Sequence, residues 1–514
     1  MQLFAPNITD GYKLGHASQY AKGTETISSN FTPRDFSYAT TTEMTRTNKM
    51  VFVGLQYAVK EYLIKMWNDS FFSEPKEKVL AKYSRRIKGY LGSGQGAASQ
   101  QMMSDLHDLG YLPIKITALA EGSRVNAGIP VFVVTNTDTR FGPLVNYLET
   151  VLSNTVWPMC NSASLMEQYY LLAEHYGKAT GASSEFWLPF AIHNFAMRGH
   201  RGVEDAVTSA FGHSLFHKGT DTFAVLDFVE DYYNADTDNE FIGGSVNASE
   251  HATVCQQIAV NGGGHSGELL ALKYFLTEVY PTGIFSYVAD SRDYWDVLSM
   301  IIPELKELIL NRESNENGQP AVLTIRPDSS KKTPYEVILG DSESDCTNEV
   351  KGTLQLLWNT FGGTLEVGPD GKEYKLLDSH IRVIYGEAIS LQMAQKIYQG
   401  MQDNGWCVGN VFFGVGSWAF IGNSSRDSYG IACKATNSVV NGEEVPLQKD
   451  PKGTSTFKKS AKGRLKVIKG TDGFTLIDGV TEQEEAEGEL KLFFLNGVIQ
   501  NEQSYTSIVN ELKQ

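Results

Sequence analysis

Between roughly residues 185 and 420, short apolar runs repeatedly stop in polar or charged residues. AVLTI runs into Arg326 and Asp328, FAIHNF into Arg198, IFSYVA into Asp290, IRVIY into Gly386 and Glu387, and NVFFGVG into Ser417. The runs are too short for helices and rich in β-branched and aromatic residues. Stretches such as Asp293 to Leu310, with helical spacing, separate them, so the pattern predicts parallel βα crossover units. A parallel strand covered on both faces reads as continuous apolar sequence, and its carboxyl end is where polar chemistry emerges. These five strand ends are therefore expected to deliver polar groups to one face.

The flanks have a different period. Leu55, Val59, Tyr62, Leu63 and Met66 follow helical spacing, and GSGQGAASQQ reads as a loop or a helix start. From about 112 to 137, YLPIKITAL and IPVFVVTN alternate with turns, as in an antiparallel sheet. Within the 185–420 region, GGTLEVGPDGKEYKLL reads as an inserted hairpin with its turn at PDG. After residue 440, RLKVIKG, FTLIDG and LKLFFLNG return to strand signals. Neither end alone holds enough strands for a well-buried sheet. The expected architecture is α/β: an irregular (β/α) barrel over 166–425, flanked by a β-rich accessory domain built from 1–165 and 426–514.

With 514 residues the chain exceeds one ordinary core, which agrees with that division. A formal net charge of −16 repels polyanions, so neither nucleic acid nor an anionic membrane is an expected partner, although local basic clusters can still hold small anions. The five cysteines, at 160, 255, 346, 407 and 433, form no CxxC pair and read as reduced thiols. With no signal-like start and no membrane-length apolar run, a cytoplasmic protein is expected.

Several segments carry candidate chemistry. In NFAMRG, a planar ligand could stack on Phe195 while Arg198 holds an anion, although a core Phe beside a surface Arg is the commoner arrangement for such a pair. KGTDT offers Gly219 for a tight turn and Asp221 as a fixed acceptor; an Asx turn reads equally well. His251 follows the Gly-rich GGSVNAS run and could be a general base, a metal ligand or a phosphate acceptor, whereas a lone histidine is more often structural. No second histidine lies at zinc-site spacing from it. Asp290 and Asp328 could orient its imidazole, hold Mg²⁺ through oxygen, or cap the following helices. YGEA and GVGS are glycine-containing strand ends that allow close backbone approach to phosphate, and the basic run from Lys449 to Arg464 would suit phosphate or ATP unless it is simply a solvated loop.

In order along the chain, ITDGYKLGH, FVGLQY, NFAMRG, KGTDT, SVNASEH, IRPDS, RVIYGE and KKSAKGR resemble the nicotinamide phosphoribosyltransferases. The likeness covers most of the chain and implies the barrel of a type II phosphoribosyltransferase. It implies attack of nicotinamide on phosphoribosyl pyrophosphate, giving nicotinamide mononucleotide and pyrophosphate in NAD salvage. Mg²⁺ would assist, and ATP would drive the reaction by phosphorylating a histidine, here His251. By the same likeness, Arg198 and Arg326 hold the pyrophosphate or ribose, and Asp328 positions the ribose and nicotinamide. Gly386 and Glu387 match a nucleotide-contacting pair, with Gly416 and Ser417 in the next glycine loop, and Arg426 and Lys434 match residues that hold the 5′-phosphate. Ser245 and Ser286 are further substrate-contact candidates, and Asp290 joins His251 and Asp328 in the catalytic set. A tyrosine matching Tyr12 reaches in from a second subunit to sandwich the pyridine against Phe195, so a homodimer with shared sites is implied. Metal ligands are not assigned. The alternatives are a nicotinate phosphoribosyltransferase, which a carboxylate at Asp221 would disfavour, and a silent ligand-binding relative. A barrel metallohydrolase lacks the paired ligand spacing.

Overall fold

The computed structural model describes residues 3–328, 330–450 and 459–513. Seven parallel strands form its central ring: β1 (Ile192–Asn194), β2 (Gly219–Thr220), β3 (Asn247–Ala248), β4 (Ile284–Val288), β5 (Val322–Arg326), β6 (Ile381–Tyr385) and β7 (Val411–Val415). Except for β2 and β3, each strand pairs with its neighbours in sequence, β7 returns to β1, and a bridge from Gly219 to Gly244, just before β3, completes the circuit. Apart from β3, whose two residues are exposed, the strands are largely buried, since side chains of β4, β5 and β7 face the barrel interior or the surrounding helices. Local sequence starts the helices that return the chain. Ser390 accepts from the Met393 amide to open Leu391–Asp403, and a Thr333/Glu336 capping box opens Pro334–Leu339.

The second sheet is antiparallel and draws strands from both chain ends. Its order is Glu443–Pro446, Ala432–Val440, Thr24–Thr32, Phe132–Asn136, Ile114–Ala118, Lys491–Leu495, Val498–Ile499. The hairpin expected at PDG pairs Gly363–Val367 with Glu373–Leu377, and Arg464–Gly470 pairs with Gly473–Val480.

One helix, α1 (Gly142–Thr180), joins the two cores. At about 1.5 Å per residue it is about 58 Å long. Leu144, Leu148, Leu152 and Val156 pack with the antiparallel sheet, while Met166, Tyr169, Leu172 and Tyr176 pack in the barrel core. Residue 165 therefore lies in mid-helix. Among the described residues no helix is long and apolar enough to cross a membrane.

Two expectations change. KGTDT is not a turn: Gly219 and Thr220 are β2, and Gly219 provides close approach, because a Cβ there would stand 2.6 Å from His193 Nδ1. The end of GGSVNAS is likewise a strand, β3. Of the basic run Lys449 to Arg464, residues 451–458 lie outside the described residues.

Candidate active site

The carboxyl ends of the seven strands present Phe195, Asp221, His251, Asp290, Asp328, the Gly386–Glu387 pair and the Gly416–Ser417 pair around one rim. Side-chain contacts divide the rim into two groups.

The first group surrounds Phe195 and Asp221. His193 Nε2 donates to Asp221 Oδ1 at 3.0 Å, and Ser245 Oγ donates to the same oxygen at 2.6 Å. Burial pushes the Asp221 carboxyl up, but His193, Ser245 and the charge of Arg326 outweigh it and hold the group below the usual carboxylate range. Asp221 is therefore held as an anion, and its side chain is half-exposed. It borders a cleft of about 280 Å³ between Thr220–Leu226 and Gly243–Ser245. The Phe195 ring lies 4.9 Å from that of His193 and sits over two glycines. A Cβ on Gly386 would stand 3.0 Å from the ring, and one on Gly414 closer still. Gly386 and Gly414 thus leave room for an aromatic ring, while a Cβ on Gly416 would meet nothing within 4 Å.

The second group is His251, Asp290 and Asp328. His251 opens helix α2 (His251–Val260), and its Nε2–H donates to Asp290 Oδ1 at 2.9 Å. The Asp290 side chain is 5% exposed, so this hydrogen bond is sheltered, whereas the imidazole is half-exposed. With Nε2 protonated, the lone pair falls on Nδ1, which faces Asp328 Oδ2 at 3.8 Å. Burial, then the charges of Glu387, Asp290 and Asp328, push the Tyr385 phenol up, so carboxylates from β4, β5 and β6 gather near one point. Among the described residues, no three His, Cys, Asp or Glu side chains meet closely enough to hold a metal by themselves. The set does fit a cation that takes one or two carboxylates and fills its remaining positions from a diphosphate, as Mg²⁺ commonly does.

Arg326 links the groups. Its Nη2 donates to the Ser249 carbonyl at 3.1 Å, while its buried Nε has no partner among the described residues. Ser286 is buried in β4 and its carbonyl accepts from the Ser249 amide. Arg198 and Glu387 are exposed at the rim, and Gly199 packs against Ser417.

Tyr12, Arg426 and Lys434 lie with the antiparallel sheet. Tyr12 is 65% exposed and touches His16, and Lys434 donates to the Cys433 carbonyl. No hydrogen bond or ion pair of these three reaches the barrel rim among the described residues. Burial, with the charges of Arg34 and Lys449, pulls the Lys434 ammonium down, and burial with the charge of Arg426 does the same to Arg34. This crowding of cations suits an anion. The sequence reading missed Arg34 and His193. Arg34 carries no local signal, and the position of His193 just ahead of Phe195 was the only hint.

Residues 190–497 match the profile of the nicotinate phosphoribosyltransferase family. The chain belongs to that family. It is therefore an enzyme, a pentosyltransferase. Residues 6–89 match the N-terminal domain of nicotinamide phosphoribosyltransferase. A nicotinamide phosphoribosyltransferase from Acinetobacter baylyi is 41% identical over 509 residues, 99% of this chain and 96% of its own. One from Mycoplasma genitalium is 28% identical over 475 residues, 88% and 93% of the two chains. The crystal structure of nicotinate-nucleotide pyrophosphorylase from Pyrococcus furiosus aligns with a TM-score of 0.55 at 13% identity, covering 99% of this chain and 94% of that one. That likeness is one of fold.

Proposed function

We propose that this phosphoribosyltransferase joins nicotinamide to phosphoribosyl pyrophosphate, releasing pyrophosphate and forming nicotinamide mononucleotide for NAD salvage. The Asp221 carboxylate carries the reading. Fixed by His193 and Ser245, it accepts a hydrogen bond from an amide NH₂ and repels the carboxylate of nicotinate. The Phe195 ring supplies a face for the pyridine, whose nitrogen attacks the anomeric carbon as the bond to pyrophosphate breaks. Arg198 and Arg326 supply the cations that the departing negative charge needs in this reading, and alignment and charge neutralisation supply the acceleration. Asp290 and Asp328 are the residues that would hold Mg²⁺, which when bound neutralises the diphosphate.

His251 has a separate role in this reading. Asp290 holds the Nε2–H, so Nδ1 is free to take a phosphoryl group from ATP, and hydrolysis of that phosphohistidine drives transfer towards product. A second copy of the chain completes the site: its Tyr12 covers the pyridine, and its Arg34, Arg426 and Lys434 meet the 5′-phosphate. The enzyme acts in the cytoplasm.

The test is an assay with phosphoribosyl pyrophosphate, Mg²⁺ and either base, with and without ATP, followed by Asp221→Ser and Asp221→Asn. Nicotinamide is the expected substrate, and the variants shift preference towards nicotinate. A wild-type enzyme that prefers nicotinate, or variants with unchanged selectivity, would sink the assignment of Asp221.

A further inference from the structure

Strand β2 places Asp221 but is only two residues long, Gly219–Thr220, so its position depends on what grips it. On its flanks it pairs with β1, and the Thr220 amide donates to the Gly244 carbonyl. Behind it, the buried His213 Nε2–H donates to the Gly219 carbonyl at 2.7 Å. The backbone on either side of it is held too, by the Lys218 amide to the Pro189 carbonyl, the Gly244 amide to the Lys218 carbonyl and the Asp221 amide to the Asn194 carbonyl, and the Lys218 side chain is gripped from the far end of the chain. Lys218, immediately before β2, has no carboxylate partner among the described residues. Its Nζ donates to the Ser214 carbonyl at 3.2 Å and to the Tyr505 hydroxyl at 3.0 Å, and lies 5.2 Å from the centre of the Tyr505 ring. The Tyr505 hydroxyl in turn donates to the same Ser214 carbonyl at 2.6 Å.

Tyr505 opens helix α3 (Tyr505–Leu512), and the approach to that helix is itself fixed. The Gln503 amide donates to Gln56 Oε1, and Gln503 Oε1 accepts from the Glu121 amide. Tyr505, Ile508 and Leu512 are buried with Val207, Phe211, Phe228 and Tyr233. The helix is thus anchored to elements of both sheets' surroundings, and its tyrosine closes a triangle with Lys218 and Ser214.

We propose that Tyr505 is a positioning residue for the pyridine subsite, its hydroxyl fixing Lys218 and, through β2, the Asp221 carboxylate. This rests on Asp221 facing the pyridine substituent, as argued above. Tyr505→Phe keeps the ring and its contact with the Lys218 cation but removes the hydroxyl that both accepts from Lys218 and donates to Ser214. A small displacement of a positioned group is enough to weaken substrate handling severalfold, so KM for nicotinamide should rise about five- to tenfold. The kcat and the KM for phosphoribosyl pyrophosphate should stay within about twofold, since Arg198 and Arg326 are untouched.

The experiment measures both KM values, kcat and the nicotinamide-over-nicotinate ratio for wild type, Tyr505→Phe and Lys218→Met, with thermal melting alongside. KM does not depend on how much of a preparation is folded, so a destabilised variant still reports. A raised pyridine KM and a narrowed base preference in both variants supports the assignment. A lowered melting temperature with unchanged KM and selectivity overturns it, leaving Tyr505 a purely structural residue. A wild-type enzyme that prefers nicotinate would instead count against the reading of Asp221, and the pyridine KM of the variants would still be measured with that base.

Discussion

Gly414→Ala isolates what Phe195 contributes. Gly414 has no positive φ, so alanine is conformationally acceptable there and the effect is steric. The added methyl would stand closer to the Phe195 ring than the 3.0 Å found for a Cβ at Gly386, with Gly386 Cα 3.0 Å on its other side. Ordinary carbon contacts are about 3.5–4.0 Å, so the ring must retreat by more than about 0.5–1 Å. His193, 4.9 Å away and itself held by Asp221, limits movement on its side, and movement towards the open face takes space from the pyridine. Overpacking of this kind costs about 1–3 kcal/mol of stability. Misplacing a positioned group by about 1 Å costs up to about a hundredfold in rate, so kcat/KM for nicotinamide should fall by about 10- to 100-fold. Gly386→Ala, whose methyl meets the ring at 3.0 Å, should cause a smaller loss of the same kind. The assay is initial-rate kinetics in nicotinamide at saturating phosphoribosyl pyrophosphate, with melting temperature as the check on folding. Wild-type kcat/KM in Gly414→Ala would show that the ring is not part of the pyridine site, and a larger loss in Gly386→Ala would refute the steric argument.

His251→Ala should retain slow transfer and lose stimulation by ATP, because the imidazole's role is energetic coupling; full ATP stimulation would remove the phosphohistidine. Asp290→Asn should also lose ATP stimulation, since an amide no longer fixes the Nε2–H tautomer, and label from γ-³²P ATP on the protein should fall with it; unlike His251→Ala it should slow the ATP-independent transfer as well, because one of the two carboxylates for Mg²⁺ is gone. If sites are shared between subunits, Tyr12→Ala mixed with Asp221→Ala and reassembled should recover activity that neither variant has alone; no recovery in verified mixed dimers would place Tyr12 outside the partner's site.

Strands β4, β5 and β7 were legible because each is buried on both faces and so reads as an unbroken apolar run ending in a polar residue. The antiparallel segments at 114–118 and 132–136 were legible from turn-separated apolar runs. Chemical type was legible too: Asp290 and Asp328 stood out at strand ends, His251 stood out after a Gly-rich run, and the ordered motifs pointed to a phosphoribosyltransferase. β2 and β3 were not legible, because two residues have no period and exist as strands only through their neighbours. Tertiary structure alone decided the pairings. It joined His193 to Asp221 across 28 residues, His251 to Asp290 across 39, and Lys218 to Tyr505 across 287. It also set Gly386 and Gly414 against the Phe195 ring, where a side chain would collide. Periodicity records which face of an element is buried, whereas which two distant side chains meet depends on how the elements pack, and no local pattern encodes that.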